Sequence, residues 1–322
     1  MTSRKETNIQ YELRLWSNEL KQRSYTYDIR VKSNASLING ISQYILDWTI
    51  ITLCFIYSRE FIYFIPIGIL ITGSRQRALS NLIHDACHYN LTRNKCINDF
   101  ICNTLSGIPL ISFVDNYRRS HFLHHKFLGN KKLDPDASTH ISYGYDDGNP
   151  PHRSWFYNLL FLIFNFAAWK ESNTGTFQDL NNSRKLKVIL WWIALVNLLT
   201  LAYDSKTALL FVLFWQISRA TSYHIIRITV EFLDHSGLQK ESIFQGTRII
   251  ENNSLILEFF LHPHNDKYHA LHHLSPSIPN YNLKIVHNII NNRMILYMKI
   301  KKNNGYITHQ NSALKDLQGI VS

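Results

Sequence analysis

The chain has 322 residues, 45% of them hydrophobic, and its 34 Lys and Arg against 23 Asp and Glu give a formal net charge of +11. That length allows one large domain or two small ones. The four cysteines, Cys54, Cys87, Cys96 and Cys102, form no CxxC pair, which excludes a disulfide framework and a zinc-thiolate pattern and suits a reducing compartment.

Residues 1–40 are polar and mixed in charge and are expected to form a cytosolic arm. Glu6, Glu12, Glu19 and Asp28 stand among its bases, and no early apolar core marks a signal peptide. A membrane domain is expected over 41–300 and a C-terminal tail over 301–322. The mean hydropathy, −0.15, hides strong segregation of apolar residues into runs. Residues 41–58 carry one charge, Asp47; Arg59-Glu60 breaks the run, and the uncharged residues 61–74 follow. Residues 188–203 carry no charge, Asp204-Ser205-Lys206 breaks the chain, and 207–218 follows. Two short breaks of this kind predict two tight helical hairpins through a bilayer, with spans about 41–58, 60–80, 187–203 and 207–227. Each run is at or slightly under the roughly 20 residues that cross a hydrocarbon core. The run 155–169 has Trp at both ends and is read as interfacial or re-entrant, as is 100–114.

Basic residues flank the apolar runs and form no dense tract, which favours a lipid surface and argues against nucleic acid. The arm holds Arg4, Lys5, Arg14, Lys21, Arg23, Arg30 and Lys32, whereas the outer turns hold only Arg59 and Lys206. The positive-inside rule therefore puts the arm, the long polar segments and both termini on the cytosolic side. The expected fold is all-α and integral to the membrane: four transmembrane helices in two hairpins under a cytosolic helical cap.

Sixteen histidines carry the chemistry. His84 and His88 form HxxxH; His121, His124 and His125 form HxxHH; His269, His272 and His273 form it again. His235 follows the fourth apolar run. Spacings of three and four put these rings on one face of a helix. At this histidine frequency a random HxxHH is expected roughly 0.04 times per chain, so two copies are not chance. Nine imidazoles exceed the needs of one ion and suit two metals with positions left open, and imidazole nitrogen suits iron, copper, zinc and nickel. His262 and His264 flank the helix-breaking Pro263 and are left outside the set, as are His140, His152, His224, His287 and His309. Metal-bound imidazoles need an acceptor on the second nitrogen. Asp85, Asp136, Glu231, Asp234 and Asp266 lie near the boxes and are candidates for that role. Only ten residues separate Ser74 from His84. Both return helices are thus expected to leave the bilayer and meet in the cap, which four crossings allow and five do not.

The order HxxxH, HxxHH, lone His, HxxHH resembles the integral-membrane fatty acid desaturase and hydroxylase superfamily. The resemblance extends to the surroundings of the first box, through Ile97-Asn-Asp99; to Asp134-Pro-Asp136 after the second; and to Tyr268 through Leu283 around the third. It covers about 45–285. It implies a non-haem di-iron centre with O2 as co-substrate. Its ligands would be His84, His88, His121, His124, His125, His235, His269, His272 and His273. Glu231 matches a position where some relatives place a polar residue acting on the metal through water; Glu231 and Asp85 are the expected catalytic carboxylates. The reaction implied is desaturation of an acyl or lipid-like chain, with hydroxylation or ketolation of a lipid or small secondary metabolite as the alternative. A zinc hydrolase or a metal carrier is a further reading of the histidines alone. No cytochrome b5 signature is present, so electrons are expected from a separate donor of ferredoxin, rubredoxin or cytochrome b5 type.

Overall fold

The structure, a computed structural model, describes residues 7–26, 29, 32, 34–175, 177–251, 254–306 and 311–313. Arg4, Lys5 and Arg30 of the arm, His309 and most of the tail 301–322 lie outside the described residues.

Helices dominate, because the long apolar runs must satisfy their backbone groups internally. Helix α1, Asn8–Gln22, opens the described chain; Thr7 and Gln10 form a reciprocal capping box at its start. Helix α2, Leu37–Glu60, starts four residues before the apolar run, because Ser36 caps it through Asn39 N. A turn over Phe61–Phe64 leads into helix α3, Ile65–Cys87, with Pro66 in its first turn. Helix α2 and the later helix Asn182–Ala202 are each long and apolar enough to cross a membrane.

Between the two hairpins come helix α4, Lys95–Cys102, a π-helical turn at Asn103–Gly107, helix α5, Val114–Phe127, and helix α6, Pro135–Ser142. The run 155–169 is split into helix α7, Trp155–Ile163, and helix α8, Phe166–Thr174. Asn165 makes the break by capping Ala167 and Ala168. At nine residues each, neither is long enough to span a bilayer. The second hairpin is helix α9, Asn182–Ala202, and helix α10, Ser205–Ser218, which continues through a π-helical turn, Arg219–Tyr223, into helix α11, His224–His235. The chain closes with helix α12, Leu255–Leu261, helix α13, His269–Leu274, and helix α14, Asn280–Ile290. The strands among the described residues are β1, Arg248–Ile250, and β2, Lys301–Asn303, paired in parallel.

Two regions separate by what they bury. The hairpins leave large apolar side chains uncovered, among them Tyr63 at 93% and Leu201 at 87% exposure. In α9 only Val188 is buried. These side chains form an apolar belt on the hairpins, and exposed apolar surface of this kind marks an interaction surface. Inside the hairpins Asp47 is fully buried and pairs with Arg75 at 3.2 Å and His264 Nε2 at 2.7 Å. The one charge in the first apolar run is thus answered from α3 and from the loop before α13. Gly73 lets α3 pack on the 219–223 turn, since a Cβ there would lie 2.5 Å from Tyr223 N.

The second region is a cap around Trp16, Leu271, Leu283, Val286 and Tyr297. The arm, expected only as a polar segment, contributes α1 to it. Trp16 Nε1 donates to Ser275 Oγ at 3.1 Å, and the Glu19 carboxylate accepts from Ile295 N and Leu296 N.

Candidate metal centre

Four helices deliver the box histidines. α3 runs beyond the apolar belt to carry His84 and ends at His88. α5 presents His121, His124 and His125; α11 ends on His235; α13 carries His269, His272 and His273. Arg118 on α5 ties the ends together: its Nε donates to Cys87 O at 2.7 Å and its Nη1 to Asp99 Oδ2 at 3.0 Å. Before α13, His264 and Asn265 take left-handed conformations, φ +61° and +62°. Contacts to Asp47 and Asn280 hold that kink.

The nitrogens gather in two groups of four. His88, His121, His125 and His272 offer ring nitrogens within 4.8 Å of one another, and so do His124, His235, His269 and His273. In the first group the Nε2 atoms of His121, His125 and His272 form a triangle of 2.9, 3.1 and 3.3 Å. In the second, His269 Nε2 lies 3.0 Å from His235 Nε2 and 3.1 Å from His273 Nε2. His125 and His273 stack at 4.2 Å and join the groups. His84 belongs to neither group of four, but its ring lies 4.1 Å from His272 and 4.5 Å from His121, and its Nε2 is buried without a partner.

These atoms fit metal ions. Burial holds His88, His121, His125, His235, His272 and His273 well below the usual histidine range, brings His84 down to about 3 and His269 to about 4. Neutral rings leave lone pairs aimed at a common point, and three nitrogens in a triangle cannot all be satisfied by sharing protons. His84 and His88 also have Nε2 atoms with no acceptor or donor. A cation resolves both problems, and all-imidazole sets suit a first-row transition metal.

His124 is anchored differently. Its Nδ1 lies 2.9 Å from Asp134 Oδ1 and 3.3 Å from Asp136 Oδ2. Burial opposes charge there, but the Asp136 charge and the Asp134 hydrogen bond push His124 up to about 8. Asp134 also caps α6 through Asp136 N and accepts from Gly129 N. It was not among the expected partners of the boxes. The signal was present in the Asp-Pro-Asp that opens a helix soon after the second box.

The two expected catalytic carboxylates part company. Glu231 accepts from Arg227 Nε at 2.9 Å and lines a cavity of about 290 Å³ together with His84, His121, His235 and His269. Burial pushes its carboxyl up, but the Arg227 and Arg77 charges outweigh burial and hold it below the usual glutamate range. Asp85 makes no hydrogen bond to a box histidine among the described residues. Its Oδ1 accepts from Asn90 Nδ2 at 3.0 Å and from Asn280 N at 3.1 Å, which fastens the end of α3 to the start of α14. Burial pushes it up to about 7. Of the remaining carboxylates, Asp266 pairs with Arg77 at 2.8 Å, and Asp234 lies beside His262 and Asp266. His224 and His287 are engaged by Ser172 and Tyr297. Sequence reasoning also passed over Tyr117, which stacks on His121 at 5.3 Å, and Arg219, which reaches the same cavity.

Comparison with known proteins follows this geometry. A family model described as fatty acid desaturase matches residues 61–298. Dihydrorhizobitoxine desaturase of Bradyrhizobium elkanii is 27% identical over 243 residues, covering 72% of this chain and 67% of that protein. The chloroplastic omega-6 fatty acid desaturase of Glycine max is 24% identical over 285 residues, covering 80% and 62%. The sn-1 oleoyl-lipid 12-desaturase of Arthrospira platensis is 22% identical over 244 residues, covering 69% and 67%. The chain thus spans less than two thirds of the Glycine max relative.

Proposed function

The chain belongs to the fatty acid desaturase family and is by that membership an oxidoreductase; we propose that it is an O2-dependent di-iron desaturase of the membrane, which introduces a C=C bond into an aliphatic segment of its substrate. The observation that carries this reading is the convergence of eight imidazoles into two adjoining groups, with His84 against the first. In this reading His88, His121, His125 and His272 hold one iron, and His124, His235, His269 and His273 the other, with His84 as the ninth ligand. The chain crosses the bilayer four times, through α2, α3, α9 and α10, with the histidines and both termini on the cytosolic side. The exposed apolar belt on the hairpins and the excess of Arg and Lys on the arm support that topology.

Iron at these sites would supply, with O2, the oxidising equivalents for removing two hydrogens from neighbouring carbons. Reduction of O2 to two waters takes those two hydrogens together with two electrons and two protons from a separate donor and solvent. The chain's own residues do the positioning. Asp134 keeps the proton on His124 Nδ1 and so presents the Nε2 lone pair to the second group. Tyr117 fixes the plane of His121. Glu231, one helical turn before His235 and ionised, presents its carboxylate on the cavity wall beside that ligand. Asp85 acts as a positioning residue behind the first box.

Mass spectrometry of lipids and polar metabolites tests the reading, comparing cells that express the chain with cells that express His121→Ala. A product two mass units lighter than its precursor, present only with the unaltered chain, is the expected result. A gain of sixteen units would replace desaturation with hydroxylation, and identical profiles together with an iron-free purified protein would overturn the assignment.

A further inference from the structure

The hydrocarbon chain of an acyl lipid is uncharged and is matched by an apolar channel. The cavity against the histidines is of another kind. Arg219, Tyr223, Arg227, Glu231 and His235 all line it, and they follow one another at four-residue spacing along one continuous helical stretch. Such a stripe is about 24 Å long at 1.5 Å rise per residue. It runs from a charged end at Arg219 to a proposed iron ligand at His235. The cavity volume, about 290 Å³, sits at the lower limit of small-molecule pockets, roughly 300 Å³.

The charges at its far end do not cancel in place. Arg219 is 1% exposed. Its guanidinium donates to Ser172 O at 2.9 Å and Leu110 O at 2.6 Å, and Pro109 O lies at 3.5 Å. All three are neutral carbonyls, and no carboxylate pairs with Arg219 among the described residues. A buried guanidinium with spare N–H groups and no counter-ion favours an anion beside it. Next to it, Arg227 serves two carboxylates, Glu231 at 2.9 Å and Glu171 at 3.3 Å, which leaves the triad one negative charge in excess. The two features adjoin. Arg219 Nε donates to the carbonyl of Ser172, and Arg227 Nη1 lies 3.3 Å from the hydroxyl of the same residue.

Resting on the desaturase reading above, we propose that the substrate is a small zwitterion of amino-acid type, its carboxylate on Arg219 and its ammonium group on the Glu171–Arg227–Glu231 triad. Its aliphatic side chain then points along the stripe toward His235. The hydrocarbon chain of an acyl lipid brings neither a carboxylate to Arg219 nor an ammonium group to the triad. A free fatty acid would answer only one.

Binding calorimetry on the full-length iron-loaded protein in detergent micelles tests this, with norleucine, hexanoate, hexylamine, hexan-1-ol and oleate as probes and iron content measured in parallel. Norleucine is expected to bind at least tenfold more tightly than hexan-1-ol or hexylamine, and more tightly than hexanoate. Arg219→Gln should weaken norleucine and hexanoate tenfold or more with iron content unchanged, and Arg219→Lys should restore part of the loss. Glu231→Gln should bring norleucine down to the level of hexanoate. Norleucine binding no tighter than hexan-1-ol, or oleate binding best of all, would overturn the zwitterion while leaving the desaturase reading intact. Loss of iron from the unaltered protein would strike the desaturase reading instead. Should Arg219→Gln fail to fold, the comparison of probes on the unaltered protein still decides.

Discussion

The two histidine groups are built from the same side chain but held by different forces. In the second, His124 is locked by charge, with Asp134 and Asp136 on its Nδ1. In the first, no carboxylate touches a ring of His88, His121, His125 or His272 among the described residues. Packing orients them instead: Tyr117 lies nearly parallel to His121 at 17°, and Phe122 stacks on His88 at 5.2 Å. The difference teaches that a row of box histidines is not a set of equivalent ligands. His124 of the second group depends on a hydrogen-bonded carboxylate, which fixes a tautomer, and His121 and His88 of the first on aromatic surface, which fixes only a plane.

The largest effect that bears on this comparison is expected from His272→Ala, which removes one corner of the Nε2 triangle in the first group. Turnover should be abolished and iron content lowered while the protein remains in the membrane fraction; full activity would take the last box out of the centre. Asp134→Asn should act on the other group alone, lowering its metal affinity by about 10–100-fold. Metal titration monitored by absorbance should resolve one weakened site and one unchanged; equal weakening of both would erase the distinction. Tyr117→Leu should do the reverse on a smaller scale. A stacked pair is worth about 0.5–1.5 kcal/mol, so the first group should lose up to roughly tenfold in affinity and the second nothing. Trp16→Phe serves as the control remote from both groups. It removes the hydrogen bond to Ser275, which should cost about 0.5–1.5 kcal/mol in thermal unfolding and leave the iron content as it was.

The same distinction governs what could be read in the chain before its folding. Box spacing made the histidines visible because three- and four-residue steps act within one helix, so His121, His124 and His125 had to share a side of α5. The apolar runs announced α2, α3, α9 and α10 for a similar reason, and the run 155–169 was legible as short, but its break at Asn165 was not. Helix ends were less so. Ser36 extended α2 backwards, and the polar arm hid a helix whose Trp16 docks on residues more than 250 positions away.

By itself, then, the sequence determined which side chains stand on a common helical face and which segments are apolar, since both follow from a 3.6-residue period and from local composition. It could not determine which faces meet. The pairing of His88 with His272, the choice of Asp134 over Asp85 as the carboxylate on a box histidine, and the isolation of Arg219 beside an acidic triad were decided by tertiary structure. Each depends on distances between helices, and those are set by packing such as Gly73 against the 219–223 turn and Arg118 against Cys87 and Asp99. No periodicity along a single chain records a contact across it.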